Sequence, residues 1–492
     1  MSRALLAAAS LLLGACTLTP PLPAPDVDTP TRWVGAQATG DDTASIAAWW
    51  QGFDDPRLSA LIEAALAHNH DLAIATARLR EARAAAGIAG ARLAPSVDAS
   101  GSGGLRRDDL QAERLRFAHG EQSFHQIGVD ASWEIDVFGA ARAASRAAAA
   151  DARAAAYGLA DLRISLAAEV AREYFALRGA QARLEVAGRN VALQEEALAL
   201  LESRVRAGLS PALDVSKARA ELAVLRGSRP PLAAAIAGSA YRIAVLTGAA
   251  PGTLDAALAA PRALPDAHRG VPLALPSTLL RRRPDVKRAE AEVLAANERV
   301  GIARADLLPK FYLSGLLARA EEDNGAVSFG PGLLYSIGPS VRLPLFNGGR
   351  LRARVEVEDA RLAQALARYE QAMLQALQDV ETALREVDSE QRRSAEIAAA
   401  VADAAAARAL ATTRYTRGLS DYFAVIDAQR ALQASEDALA SSRTAAVQHL
   451  VALYKALGGG WRDETARDAE KSGPPDAARA RATAGSPARP AA

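Results

Sequence analysis

The chain carries one pattern twice, and this duplication limits its possible folds more than any other feature. Trp133-Glu134-Ile135-Asp136-Val137-Phe138-Gly139-Ala140-Ala141-Arg142 returns 208 positions later as Val341-Arg342-Leu343-Pro344-Leu345-Phe346-Asn347-Gly348-Gly349-Arg350. Upstream, Gly87-Ile88-Ala89-Gly90-Ala91-Arg92-Leu93-Ala94-Pro95 returns as Gly301-Ile302-Ala303-Arg304-Ala305-Asp306-Leu307-Leu308-Pro309. Downstream, Arg204-Val205-Arg206-Ala207-Gly208-Leu209-Ser210 returns as Arg414-Tyr415-Thr416-Arg417-Gly418-Leu419-Ser420. A repeat this long is a whole fold unit, not a solenoid turn. Two tandem copies, at 49–250 and 265–461, are expected to share one order of helices and strands.

The ends read as address and tail. Met1-Ser2-Arg3 is a short basic start, Ala4 to Leu13 is apolar but too short to span a bilayer, and small residues follow. This is a secretory signal over 1–15. Its ending, Leu13-Gly14-Ala15-Cys16, resembles a lipoprotein signal in which the cysteine becomes the lipidated first residue. Cys16 is the only cysteine of the chain, so no disulfide framework competes for it. In lipoproteins an Asp after the cysteine retains the protein at the inner membrane, so Thr17 points to the outer membrane. A Pro-rich, lipid-anchored linker fills 16–48, and 462–492 reads as a disordered tail. The net charge is +1, which argues against a nucleic-acid partner.

Between the ends the chain is mostly helical. From Ala141 to Val205 there is no proline, and from Leu351 to Arg417 neither glycine nor proline. Ala, Leu, Arg and Glu dominate both stretches. At ~1.5 Å per residue each is roughly 100 Å long. A generic coiled coil is the alternative, but each long helix is followed by a Gly-Leu-Ser turn and a shorter helix: Asp214 to Leu246, and Tyr422 to Leu457. Arg229-Pro230-Pro231 interrupts the first of these, so a kink or break is expected near Gly227. The basic run Arg281-Arg282-Arg283 reads as a helix start with solvated charges.

The strands sit between helices. In Ser123 to Phe138, Ile127, Val129, Ala131, Trp133, Ile135 and Val137 alternate with Gln126, Gly128, Asp130, Ser132, Glu134 and Asp136. In the second copy Leu333, Tyr335, Ile337, Val341, Leu343 and Leu345 alternate with Ser336, Gly338, Ser340 and Arg342. Partner strands precede each, at Ser96 to Leu105 and Lys310 to Arg319, with polar loops at Arg106 to Gly120 and Glu321 to Ser328. A two-residue period with one apolar face fits a sandwich or a transmembrane barrel with a wet lumen. Four strands cannot close a barrel, for which about eight is the practical minimum. An open edge is not tolerated in lipid, so strands must come from identical neighbours. Two chains would give eight strands and a filled interior; three would give twelve and an open pore.

Several motifs occur together: Trp49-Trp50 with Phe53, Asp55 and Pro56; Asn69 with Asp71-Leu72; Asp136-Val137-Phe138-Gly139; Arg283-Pro284-Asp285-Val286; Leu345-Phe346-Asn347-Gly348-Gly349; Tyr415 through Arg430; and Leu453 through Trp461. With them the chain resembles the TolC-like outer membrane factors, in particular the lipidated OprM- and NodT-like branch, over roughly Trp49 to Trp461. The resemblance implies an α+β membrane protein: a homotrimer with a 12-stranded transmembrane β-barrel, four strands per chain, continued by a long periplasmic α-helical barrel. It implies the exit duct of a tripartite pump, with a periplasmic adaptor and an inner-membrane transporter, of the RND type, as partners. Drugs are the implied cargo; type I protein secretion or metal or metabolite export is the alternative.

Residue by residue, the resemblance places Phe423, Asp427 and Arg430 at the constriction that closes the tunnel. Their spacing sets all three on one helix face. Threefold symmetry would make a ring of Asp427 carboxylates, with Arg430 as the nearby counter-charge and Phe423 as an apolar plug. An ordinary solvated pair of Asp427 with Arg430 is the alternative. The turns Arg206, Gly208, Leu209, Ser210 and Arg417, Gly418, Leu419, Ser420 are the expected adaptor-docking tips; plain helix C-caps would have the same residues. With 6 His and one Cys, the chain has no metal-ligand spacing, phosphate loop or nucleophile elbow. No cofactor and no enzymatic activity are expected.

Overall fold

A computed structural model describes residues 18–22, 25, 27–34, 46–106, 122–265, 276–323 and 328–461. The signal, Cys16, nearly all of the first polar loop and the tail lie outside these residues. After a short 3-10 turn at Trp49–Phe53, the first copy runs α1 (Pro56–His68), α2 (His70–Ala91), β1 (Ser96–Arg106), β2 (Gln122–Ile135), α3 (Ala140–Arg206), α4 (Ala212–Gly227) and α5 (Arg229–Leu246). Two short helices follow, α6 (Asp255–Leu258) and α7 (Pro276–Arg282). The second copy runs α8 (Pro284–Ala305), β3 (Lys310–Asp323), β4 (Ser328–Arg342), α9 (Arg350–Thr416) and α10 (Tyr422–Ala456). Both long helices have 67 residues.

The expected interruption at Gly227 is present. Ser228 stands between α4 and α5 in a helical conformation, and its hydroxyl donates to the Leu225 carbonyl at 2.8 Å. Proline in the first turn of α5 costs little, because that turn's N–H groups have no intrahelical acceptor. Strand β2 stops earlier than the alternation suggests. The Asp136 carboxylate accepts from the backbone N–H groups of Ala141 and Arg142 at 3.0 and 2.9 Å. It caps α3 instead of continuing the ladder. The second polar loop is shorter than expected, since β3 extends to Asp323 and β4 begins at Ser328.

The chain divides into two compact units that cut across the repeat, each taking pieces of both copies: Met1–Asp28, Asp71–Leu159 and Pro284–Gln375 in one, Thr29–His70, Ala160–Arg283 and Ala376–Ala492 in the other. The first holds an antiparallel sheet in the order β1-β2-β3-β4. The register puts most of the large apolar residues on one face, among them Val97, Val129, Trp133, Leu313, Leu317, Tyr335 and Ile337. Asp98, Asp130, Ser132, Ser314, Ser336 and Ser340 share the other. Among the described residues β1 and β4 pair on one side only. In the same unit, Arg146 of α3 donates from Nε and from one terminal nitrogen to the two carboxylate oxygens of Glu298 of α8 at 2.7 and 2.8 Å, and Val293 and Ala296 of α8 pack on Ala365 of α9.

The second unit is built around aromatic residues. Trp49 stacks on Tyr454 with centroids 5.3 Å apart, and Phe53 meets Phe175 at 5.1 Å. Asp55 caps α1, accepting from the backbone N–H groups of Arg57 and Leu58, and accepts the Tyr174 hydroxyl at 2.6 Å and Arg262 at 2.7 Å. Arg283 departs from its expected solvated role. It is buried and donates to the Ala456 carbonyl at 3.1 Å and to Asp379 at 2.9 Å. The carbonyls that end α10 draw it inward.

The glycines after α10 are required by close packing. A Cβ on Gly459 would lie 2.7 Å from Ile46 Cγ2 and 2.9 Å from the Tyr454 carbonyl oxygen. Gly459→Ala is expected to cost about 1–3 kcal/mol through overpacking, read as a lower denaturant midpoint. An unchanged midpoint would show that this segment can shift freely.

Candidate functional site

In the second unit, two turns and the helices leading from them form the candidate site. Gly208 and Gly418 have φ of +73° and +75°, the left-handed conformation that glycine adopts without steric cost. Each closes a Schellman cap: Leu209 N–H donates to the Arg204 carbonyl at 2.8 Å, and Leu419 N–H to that of Arg414 at 2.9 Å. The same residues at the same places thus make the same turn twice. Leu209 and Leu419 are 69% and 64% exposed, so neither folds back as a staple. Arg206 and Arg417 are also exposed. Ser210 reaches across to Tyr415, with the hydroxyls 3.1 Å apart, while the Ser420 hydroxyl is buried without a partner.

Beneath the turns lies an apolar cluster of Leu201, Val215, Ala218, Tyr415, Tyr422, Val425 and Ile426. Tyr422 is buried here, and that burial pushes its hydroxyl pKa up. Asp421 caps α10 by accepting the Ala424 N–H at 3.2 Å. Because α10 turns Tyr422, Val425, Ile426 and Gln429 inward, Phe423, Asp427 and Arg430 are left on its exposed face. The one-face expectation for these three holds within a single chain.

The counter-charge of Arg430 differs from expectation. Arg430 pairs with Glu221 of α4, donating from Nε at 2.8 Å and from a terminal nitrogen, both to Oε2. The Glu221 side chain is only 6% exposed. This bond and the attraction of its charge raise the Arg430 pKa, with a smaller through-space contribution from Asp427. Four residues earlier on α4, Lys217 stands over the Phe423 ring at 5.5 Å. Two cross-helix contacts therefore tie α4 to the exposed face of α10. Arg183 of α3 holds α10 separately, through Asp437 at 2.7 and 2.9 Å. Lys217 and Glu221 are i,i+4 neighbours on a legible helix, yet their partners lie on another helix about 200 residues away, which no local pattern encodes.

Cys16 lies outside the described residues, but the chain just after it is held in the first unit. Thr19 donates to Glu298 at 2.9 Å, and Asn297 donates to the Pro20 carbonyl at 2.9 Å. Among the described residues no helix is long and apolar enough to cross a membrane, and no His, Cys, Asp or Glu cluster could hold a metal.

The model of the family described as "Outer membrane efflux protein" matches residues 61–249 and 275–459. The chain is 33% identical over 470 residues to the pyoverdine export outer membrane protein OpmQ of Pseudomonas aeruginosa, covering 94% of this chain and 98% of that protein. It is 32% identical to the solvent efflux pump outer membrane protein SrpC of Pseudomonas putida, covering 92% and 97%. Among solved structures, the outer-membrane channel OprN aligns with a TM-score of 0.79 at 34% identity, covering 90% of this chain and all of that one. VceC of Vibrio cholerae aligns with a TM-score of 0.77 at 29% identity, over 85% and 99%.

Proposed function

Since the chain belongs to the outer membrane efflux protein family, we propose that it works as a passive duct whose helical tips gate and dock. It is the outer-membrane exit channel of an efflux system, and three chains complete its barrel. The observation that carries the duct is the sheet: one apolar face, one polar face and two edges left for identical neighbours. Energy and selection then come from a periplasmic adaptor and an inner-membrane transporter of the RND type. The matched family is one of channels, not of enzymes.

The proposed gate is Phe423, Asp427 and Arg430, held shut in each chain by Glu221 and Lys217 of α4. The proposed adaptor contacts are the two turns, whose leucines and arginines are exposed. Cys16 is the proposed lipid attachment, with the mature chain starting there, its linker running to 48 and the two copies following at 49–250 and 265–461. Small organic molecules are the proposed cargo, as the names of the relatives favour.

The test is a deletion strain lacking its other outer-membrane ducts, complemented by the wild-type chain and by Arg206→Glu/Arg417→Glu. Wild type is expected to restore resistance to several unrelated compounds. The charge-swapped tips are expected to assemble and fail to restore it. Full resistance from the swapped chain would remove the docking role, and no rescue by wild type would remove small-molecule export.

A further inference from the structure

The apolar face of the sheet changes character in a single row. The row of Ile135, Phe311 and Val341 lies at the end that joins the long helices. From there toward the hairpin loops, no charged residue stands on that face until Arg319 of β3. Arg319 lies between Ile127 of β2 and Leu333 of β4, both exposed. It is exposed too, and among the described residues it makes no hydrogen bond and no ion pair. In the next row outward, His125 stands between Gly103 of β1 and Glu321 of β3. A Cβ on Gly103 would lie 3.0 Å from His125 Cδ2, so the imidazole occupies the space that the glycine leaves.

The height of that row is informative. Arg319 stands eight residues beyond Phe311. At ~3.4 Å per residue this is ~27 Å of strand, or about 20 Å of height at a tilt of about 40°, against an apolar band about 25 Å tall. The guanidinium, on its long stem, therefore reaches the outer edge of the hydrocarbon. An arginine is costly at the middle of a bilayer and nearly free at its edge, so this position is tolerable where Leu317, two residues deeper, is not. The helical barrel is periplasmic, so the hairpin end faces the outer leaflet, whose lipid is a phosphorylated glycolipid.

We propose that Arg319, with the His125 imidazole beside it, holds a phosphate group of that glycolipid, at one site in each chain of the trimer. The planar guanidinium offers paired N–H donors that match two phosphate oxygens, and none of them is used inside the chain. The imidazole adds a further N–H donor. Ile127, Leu317 and Leu333 surround the arginine with surface that suits acyl chains. Glu321, two positions on, is a carboxylate on the same face and repels a phosphate. The contact therefore needs the apolar body of the lipid as well as its head, and a soluble anion is a poor substitute. This assignment rests on the sheet being part of a barrel seated in the outer membrane.

The experiment uses trimers of the full chain purified in detergent and mixed with lipid A, with lipid A stripped of its phosphates, or with lipid A and inorganic phosphate together. Native mass spectrometry counts the lipids retained. Wild-type trimers are expected to keep lipid A at up to one molecule per chain, and Arg319→Leu to bind it about tenfold more weakly, the loss of a hydrogen bond to a charged group. Arg319→Lys should fall between them, because an ammonium keeps the charge but not the fork. Lipid A without phosphates should be held by wild type no better than intact lipid A is held by Arg319→Leu. Equal retention by wild type and Arg319→Leu overturns the contact. Equal retention of the two lipids by wild type overturns phosphate as the group recognised. Release of lipid A by inorganic phosphate at equal concentration overturns the lipid as occupant and leaves a site for soluble anions. Conductance in planar bilayers tests the premise separately: wild type and both variants are expected to form pores. Wild-type trimers that form none would overturn the barrel, and the lipid contact with it.

Discussion

Replacing Arg430 with alanine is expected to raise the resting conductance of the trimer in planar bilayers. The Glu221 carboxylate is nearly buried and takes both of its side-chain donors from Arg430. Leaving a buried acceptor unsatisfied costs about 1–3 kcal/mol, and the exposed position of Arg430 itself places the effect toward the low end of that range. On the proposed gate, this cost falls on the closed arrangement, in which α4 and α10 touch, and an open one would hydrate the carboxylate. Every 1.4 kcal/mol changes an equilibrium about tenfold, and threefold symmetry applies the change in each chain at once. Glu221→Gln should act in the same direction and more weakly, because an amide still accepts from Arg430. Unchanged currents from Arg430→Ala, in trimers shown intact by gel, would leave the α4–α10 pair as a structural clasp and nothing more.

The second large effect separates the two faces of one strand. Leu316 and Leu317 are adjacent in β3 but point to opposite sides. Leu317 shares its face with Val129 and Tyr335, Leu316 with Asp130 and Ser336. Leu317→Arg is expected to reduce the trimer recovered from urea-washed outer membranes to a small fraction of wild type. An arginine facing the middle of the bilayer costs about 2–4 kcal/mol in a β-barrel, and the trimer carries three. Leu316→Arg is expected to insert normally, because its side chain enters the wet lumen opposite Asp130. Its signature would be a shift of the reversal potential toward anion selectivity. Equal recovery of the two variants would mean that the apolar face does not meet lipid.

Most of the architecture was legible because it depends on local periodicity. Helix formers without proline specify two long helices, and β2 and β4 announce themselves by a two-residue alternation that the ladder later confirms in parity. Glycine at 208 and 418 marks the turns, since few other residues adopt that conformation. The misreadings have one cause, which is the destination of a polar side chain. Asp136 looked like the last polar position of a strand and is the cap of α3. Arg283 looked solvated and is buried against the carbonyls ending α10. Arg430 looked paired along its own helix and reaches Glu221 instead.

By itself, then, the sequence determined the repeated order of elements, the apolar face of the sheet and the inability of four strands to close alone. Each of these follows from the spacing of neighbouring residues and from counting. Only the tertiary structure decided which charges meet, because Glu221 and Arg430 are brought together by packing between helices far apart in the chain. It also decided that Phe138 is covered while Phe346 is bare. Near-identical local sequence lies on both sides of that comparison; what differs is whether the chain itself supplies the next strand.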